Sequence, residues 1–385
     1  MPEITLFEES IRRKGFWVPE FEVRIDGASL PRNVVRDVIS VTYHDNIKEI
    51  DGFDMVVNNW DATRLNFKYI GGSTDSRIFD PCRKVQVLMG YSGRLTLMCQ
   101  GHVKTLEPDF PGGGAPTLSV RGVNLLDSFR KKQNTRAWTQ KKDSEIAEDI
   151  GVLSDTASGK EKVTIRTSDS AKNSEPQIDY VAQENQYDID FLLSRARQRG
   201  YVVTYDEAKK EIYFGPSNRK GKAIPISFVL EWGKSLTDFK PTLTVVNQVR
   251  SVTVHGWNRN TRKAIEEKVT LDDPRFGTNL DIHQMILDCN PRDEIVVSEP
   301  VFTPQQARER AFAILTDRSN DAVKATGTTV GLPDLRAGVN VQIQGLGPRF
   351  SGRYFVTETT HSIGEGGYTT RFSARRENPG GVSAI

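Results

Sequence analysis

Val339-Asn340-Val341-Gln342-Ile343-Gln344 alternates apolar and polar residues. A period of two is that of a strand with one face buried. A similar run, Val85-Gln86-Val87, lies in the first third of the chain, inside the candidate strand Lys84-Val-Gln-Val-Leu-Met89. Each run soon meets a glycine, Gly345 or Gly90. Each is followed later by a strand with a similar tetrad, Phe372-Ser-Ala-Arg375 or Leu118-Ser-Val-Arg121. Such an ordered echo predicts two copies of one β domain with other material inserted between them. Val85 should then correspond to Val341, and Leu118 to Phe372, within a residue or two.

The rest of the first third reads as β. Phe21, Val23 and Ile25 alternate with Glu22 and Arg24, and Val38–Tyr43, Arg94–Met98 and Thr117–Arg121 are further strands. Turn residues separate them at Gly71-Gly-Ser73, Asp80-Pro81, Ser92-Gly93 and Pro111-Gly-Gly-Gly114. Short strands with regular punctuation predict a barrel or sandwich.

The pattern changes near residue 128. Arg130-Lys-Lys132 and Lys141-Lys142 read as a polar, basic connector. A helix follows, with Asp143 as N-cap, Ile146, Ala147 and Ile150 on one face, and Gly151 as its stop. In a second helix from Asp188, Ile189, Leu192, Leu193 and Ala196 share a face and Gly200 is the C-cap. Tyr201–Tyr205 and Glu211–Phe214 form a hairpin. From about residue 226 the β pattern returns, clearest over Val249–Trp257. A helix interrupts it, with Thr303 as N-cap, Pro304 at its first position and Gln306 completing a capping box. Arg353–Thr359 and Tyr368–Ala374 are strands joined by the glycine-rich loop His361–Gly367. The expected fold is mainly β with an α+β insertion, two similar barrel-like β domains per chain. The ranges are 1–128 for the first barrel, 129–225 for the α+β domain, and 226–260 with 324–376 for the second barrel. A helix-containing insertion occupies 261–323, and 377–385 is a loose tail.

The 385 residues carry 52 Lys and Arg against 50 Asp and Glu, a net charge of +2. That balance argues against a nucleic-acid binder held by a broad basic field. No run of about 18 apolar residues encodes a transmembrane helix. The start, Met1-Pro-Glu-Ile-Thr-Leu-Phe-Glu-Glu-Ser10, has no apolar signal-peptide core. Cys82, Cys99 and Cys289 cannot form a fully paired disulfide framework, which favours synthesis in a reducing cytoplasm.

No chemistry is visible. There is no CxxC or HExxH, and His44, His102, His255, His283 and His361 are scattered, so neither metal nor cofactor is expected. No serine sits in a GxSxG elbow. Glu8-Glu9, Glu266-Glu267 and Asp272-Asp273 are sequence neighbours, whereas glycoside hydrolysis needs carboxylates facing each other across a cleft. Gly347-Pro-Arg-Phe-Ser-Gly352-Arg353 has phosphate-loop spacing, but it lacks the lysine and precedes a strand, so a β-turn accounts for its glycines. Trp17, Trp60, Trp138, Trp232 and Trp257 form no basic-aromatic stripe and read as core or interface anchors. No catalytic, cofactor-binding or metal residue is assigned.

Two segments resemble a known family. Gly331-Leu-Pro-Asp-Leu-Arg-Ala-Gly-Val-Asn-Val-Gln-Ile343, Phe350-Ser-Gly-Arg-Tyr-Phe-Val-Thr-Glu-Thr-Thr-His361 and Tyr368-Thr-Thr-Arg-Phe372 look like the end of the phage late-control protein D family, the baseplate hubs of contractile tails. Gln183-Glu-Asn-Gln-Tyr-Asp-Ile-Asp-Phe-Leu-Leu-Ser-Arg195, closing at Gly200-Tyr201, is similar to the hub portion of type VI secretion spike proteins. The resemblance implies a homotrimeric, pseudo-sixfold ring, two barrels per subunit, joining an inner tube or tube initiator to a spike. With no room for a needle, the spike is expected to be a separate chain. Other baseplate proteins would be neighbours. Nucleic acid or protein cargo would only pass through the channel, and the chain would act after assembly into a phage tail or contractile particle. The other function in view is a peptidoglycan- or glycan-acting tail enzyme.

Overall fold

The computed structural model describes residues 4–5, 18–71, 77–158, 163–217, 226–259, 261–276, 280–289, 292–298 and 301–377. Glu8, Glu9, Trp17 and the tail from 378 onward lie outside them.

The first unit is built from β1 (Pro19–Ile25), β2 (Val38–Asn46), β3 (Gly52–Asn58), β4 (Lys84–Tyr91), β5 (Arg94–Asp109) and β6 (Thr117–Asn124). Their spatial order is β1-β4-β5-β6-β3-β2, with every neighbouring pair antiparallel. Alternation decides what each strand buries. Phe53, Met55 and Val57 on β3 meet Val85, Val87 and Met89 on β4 and Leu118 and Val120 on β6 in one core. Each such side chain contributes about 1.5–3 kcal/mol by leaving water. β3 was not among the expected strands: Val56 occupies an outward position, which blurs the period. Gly101 and Gly122 allow β5 and β6 to cross closely. A Cβ on Gly101 would lie 1.8 Å from the Val123 carbonyl oxygen.

The α+β section contains β7 (Gln133–Lys141), α1 (Asp143–Ser158), β8 (Thr164–Thr167), β9 (Ile178–Tyr187), α2 (Asp188–Arg199), β10 (Tyr201–Asp206) and β11 (Glu211–Pro216). The basic connector is therefore a strand: β7 pairs antiparallel with β9. It buries Trp138, which stacks on Phe191 at 5.6 Å and donates its indole N–H to Asp149 at 3.1 Å. Gly151 does not stop α1, which continues to Ser158. Its lack of a side chain serves packing, since a Cβ there would meet Ile165 at 3.0 Å. Gly200 does cap α2, at φ 68°.

The second β unit uses β12 (Ile226–Glu231) and β13 (Leu236–Leu243). The chain then leaves it for β14 (Ser251–Asn258), β15 (Lys263–Thr270), β16 (Asp293–Val296) and α3 (Pro304–Asn320). It returns for β17 (Val323–Val330), β18 (Asn340–Gln344), β19 (Gly352–Gly364) and β20 (Gly367–Arg375). The spatial order is β12-β18-β19-β20-β17-β13. Numbered along each unit, both sheets run first, fourth, fifth, sixth, third, second. Val85 and Val341 fall on the fourth strands, Leu118 and Phe372 on the sixth, all buried. One difference separates the units: β12 pairs parallel with β18, where β1 pairs antiparallel with β4.

Val249–Trp257 does not lie in the second barrel as expected. β14 is the middle of a three-stranded sheet, between β15 and β16. Val252 and Val254 pack against Ala307, Ala311 and Leu315 of α3. The alternation was real, but its partners come from the insertion. Thr303 caps α3, accepting from the Gln306 N–H at 3.2 Å, while the Gln306 side chain returns to the Phe302 N–H at 3.0 Å.

Two further expectations change. Gly347–Phe350 is a short helical turn, not a β-turn. His361 is not in a loop: β19 runs through it to Gly364, and only Glu365 and Gly366 separate β19 from β20. That extension joins the two units. The second half of β19 pairs antiparallel with β2, from Glu358 opposite Asn46 to Ile363 opposite Val41. Both barrels are thus parts of one continuous sheet.

Candidate functional site

The β2–β19 seam holds a cluster of polar side chains. On its outward face Thr42 meets Ser362 at 3.3 Å and His44 Nδ1 meets Thr360 at 3.0 Å. On its inward face lie Tyr43, Asp45, Thr359 and His361, all buried. Asp45 accepts from the Ala337 N–H at 3.2 Å and from the Thr359 hydroxyl. Arg336 approaches Asp45 at 3.7 Å, lies 4.6 Å over the Tyr43 ring, and donates to the Leu97 and Met98 carbonyls at 3.1 and 3.3 Å.

His361 is neutral here. Its Nε2 lies 2.9 Å from the Leu335 carbonyl, which can only accept, so Nε2 carries the proton. Nδ1 then accepts from the Tyr368 and Thr370 hydroxyls, each at 3.1 Å. Burial, reinforced by the Arg336 charge, holds the imidazole well below its usual range.

Two more carboxylates close the cluster. Asp51 accepts from the Asn46 N–H at 3.1 Å and the Asn124 amide at 2.9 Å. Glu207, from the α+β section, accepts from the Gln100 N–H at 3.1 Å. Burial pushes the Glu207 carboxyl up to about 8, against the pull of Arg336. Burial also raises Asp51, helped by the nearby Asp45 charge, and raises Asp45 itself against Arg336 and the Thr359 hydrogen bond. For Arg336, burial works against the charge, and Tyr43, Asp45 and Glu207 outweigh it. This arrangement clamps three sections of chain together. Ile47, Val202 and Phe355 form an apolar core spanning the same three sections. The buried inward groups are placed to position and hold the strands of the seam.

The other singled-out residues do not converge on it. Glu266 and Glu267 are neighbours on β15 and so point to opposite faces, and Asp273 lies 3.7 Å from Arg308. Cys82 and Cys289 are exposed and Cys99 is buried. Among the described residues no three His, Cys, Asp or Glu side chains could hold a metal ion. Trp60 packs on Phe67, while Trp232 and Trp257 are half exposed. A cleft of about 350 Å³ between the first unit and the α+β section is lined by Arg24, Asp26, Lys84, His102, Lys131 and Val163. No helix among the described residues is long and apolar enough to cross a membrane. The seam itself escaped sequence reading because Asp45, Glu207 and Arg336 share no spacing.

The family model of the Alg8 N-terminal domain matches residues 17–365. The chain belongs to the Alg8 N-terminal domain family. That family carries a different name from the one its motifs resemble, and the name states no chemistry. No curated protein matches the chain. Among solved structures, the 43 kDa tail protein of prophage MuSo2 from Shewanella oneidensis is similar at a TM-score of 0.68 and 14% identity, over 93% of this chain and 98% of that one. The tail protein from Neisseria meningitidis MC58 is similar at 0.66 and 12%, over 94% and 97%. The E. coli c3393 protein, a component of the type VI secretion system, is similar at 0.52 and 12%, over 94% and 79%. At these identities the likeness is one of fold: this member of the Alg8 N-terminal domain family has the fold of tail proteins.

Proposed function

We propose that the chain is a structural baseplate hub of a contractile tail or injection system. Three copies form a pseudo-sixfold ring that joins an inner tube to a separate spike chain. One observation carries this reading: two barrels with the same strand order, fused through β2 and β19. A threefold object that must meet a sixfold tube needs two similar surfaces per subunit. The tail-protein fold and the late-control protein D resemblance support the same reading. The chain has no catalytic role in it. In this reading the domains take the ranges given from sequence, except that Ser251–Asn258 is assigned to the insertion, where it pairs with β15 and β16.

Sedimentation of the purified chain tests this. Three chains of 43.2 kDa give a particle of about 130 kDa. A monodisperse monomer at micromolar concentration counts against the hub. Peptidoglycan clearing by the pure protein would favour the glycan-acting enzyme instead.

A further inference from the structure

The seam between β2 and β19 is a contact between the second strand of one barrel and the fifth strand of the other. The same two surfaces exist a second time, unused. β5 is the fifth strand of the first barrel. Its pairing with β4 ends near Val103, and among the described residues 104–109 have a ladder partner only on the β6 side. β13 is the second strand of the second barrel. It pairs with β17 along one edge, and among the described residues its other edge has a ladder contact only at the Trp232–Leu236 bridge. Lys104, Thr105, Glu107, Pro108 and Asp109 on one edge are exposed, as are Lys240 and Thr242 on the other.

We infer that these two edges are the two halves of an intermolecular strand pairing, β13 of one copy against the end of β5 of the next. This rests on the ring reading above and specifies how the ring closes. The contact is heterologous, so repeating it produces a closed ring or a filament. An unpaired strand edge is itself a template for another chain.

The internal repeat sets the register. Val341 sits opposite Tyr354 as Val85 sits opposite Gly101. Gly327 lies between Phe239 and Phe372 as Met55 lies between Val41 and Val120. Carried through these equivalences, the seam pair Thr42–Ser362 becomes Lys240–Asp109, and His44–Thr360 becomes Thr242–Glu107. The bulges coincide, the extra residue being Lys104 on β5 and Thr357 on β19, and Ile39 on β2 and Thr237 on β13, so the register carries over and parity keeps each side chain on its face. Pro108 and Pro241 both fall on inward rows, so the ladder hydrogen bonds run through the outward rows, which keep their N–H donors. Lys240 then falls opposite Asp109, an opposite-charge cross-strand pair. Phe110, 56% exposed and edge-on to Phe67 at 5.3 Å, would fall opposite Phe239 and gain cover.

Cysteine cross-linking of the full chain tests this, in a Cys82→Ser, Cys289→Ser background. Thr242→Cys and Glu107→Cys chains are mixed and oxidised, and expected to give a disulfide-linked dimer absent from either variant alone. The double variant should link into closed trimers. Thr105→Cys and Asp109→Cys cover the neighbouring registers on the same face. If the chain sediments as a trimer but none of the three positions links to Thr242→Cys, this pairing is wrong and the ring closes another way. If it neither assembles nor links at high concentration, both this pairing and the hub reading fail.

Discussion

Replacing Glu207 by glutamine should flatten the dependence of stability on pH. Glu207 is buried at the seam, and burial raises its carboxyl from 4.5 to about 8. In the unfolded chain it releases its proton near 4.5; in the folded chain it keeps it to about 8. The folded state therefore binds more protons throughout that window, and stability falls as pH rises. Each pH unit costs about 1.4 kcal/mol at most, so the window spans a loss of up to about 5 kcal/mol. Asp45 and Asp51 act in the same direction and remain in the variant. Glutamine has the shape of a protonated glutamate and can still accept from the Gln100 N–H. Denaturant unfolding of both proteins at pH 5, 6.5 and 8 measures the slopes. The wild type should lose more stability than Glu207→Gln between pH 5 and 8, and the variant should be the more stable at pH 8. Equal slopes, or a variant that is several kcal/mol weaker at pH 8, would refute the argument. The second result would mean that Glu207 is ionised and held by Arg336.

Gly101→Ala should destabilise by 3 kcal/mol or more, beyond the ~1–3 kcal/mol of ordinary overpacking. The added carbon meets backbone at 1.8 Å, which no rotamer change relieves, and thermal unfolding would show it. Thr303→Ala should cost about 1 kcal/mol by leaving the Gln306 N–H without its cap, read as a lowered denaturation midpoint. Alanine at Glu266, Glu267 or Asp272 should change stability by no more than ~0.5 kcal/mol and leave particle assembly intact; loss of a peptidoglycan-clearing activity in any of them would point to an enzyme.

Much of the fold was legible because its signals are local. A two-residue period marks which side chains of one strand share a face, so Val85 and Val87, and Val341 and Ile343, announced buried strands without knowledge of their partners. Thr303 and Gly200 were legible for the same reason, since a cap satisfies backbone groups within a turn of itself. The echo of two β domains survived in order because a barrel can close only if its strands keep register. What the chain could not announce is partner choice. Val252 and Val254 alternate as barrel strands do, yet β15, β16 and α3 claimed them. Gly151 has the look of a stop and is instead a point of close approach to Ile165. His361 sits in a glycine-rich stretch, and its place in a strand depends on β2, which lies more than 300 residues earlier. Asp45, Glu207 and Arg336 meet only after three sections have folded against one another. The low dielectric that raises two of those carboxyls is a property of the assembled seam and of no single segment.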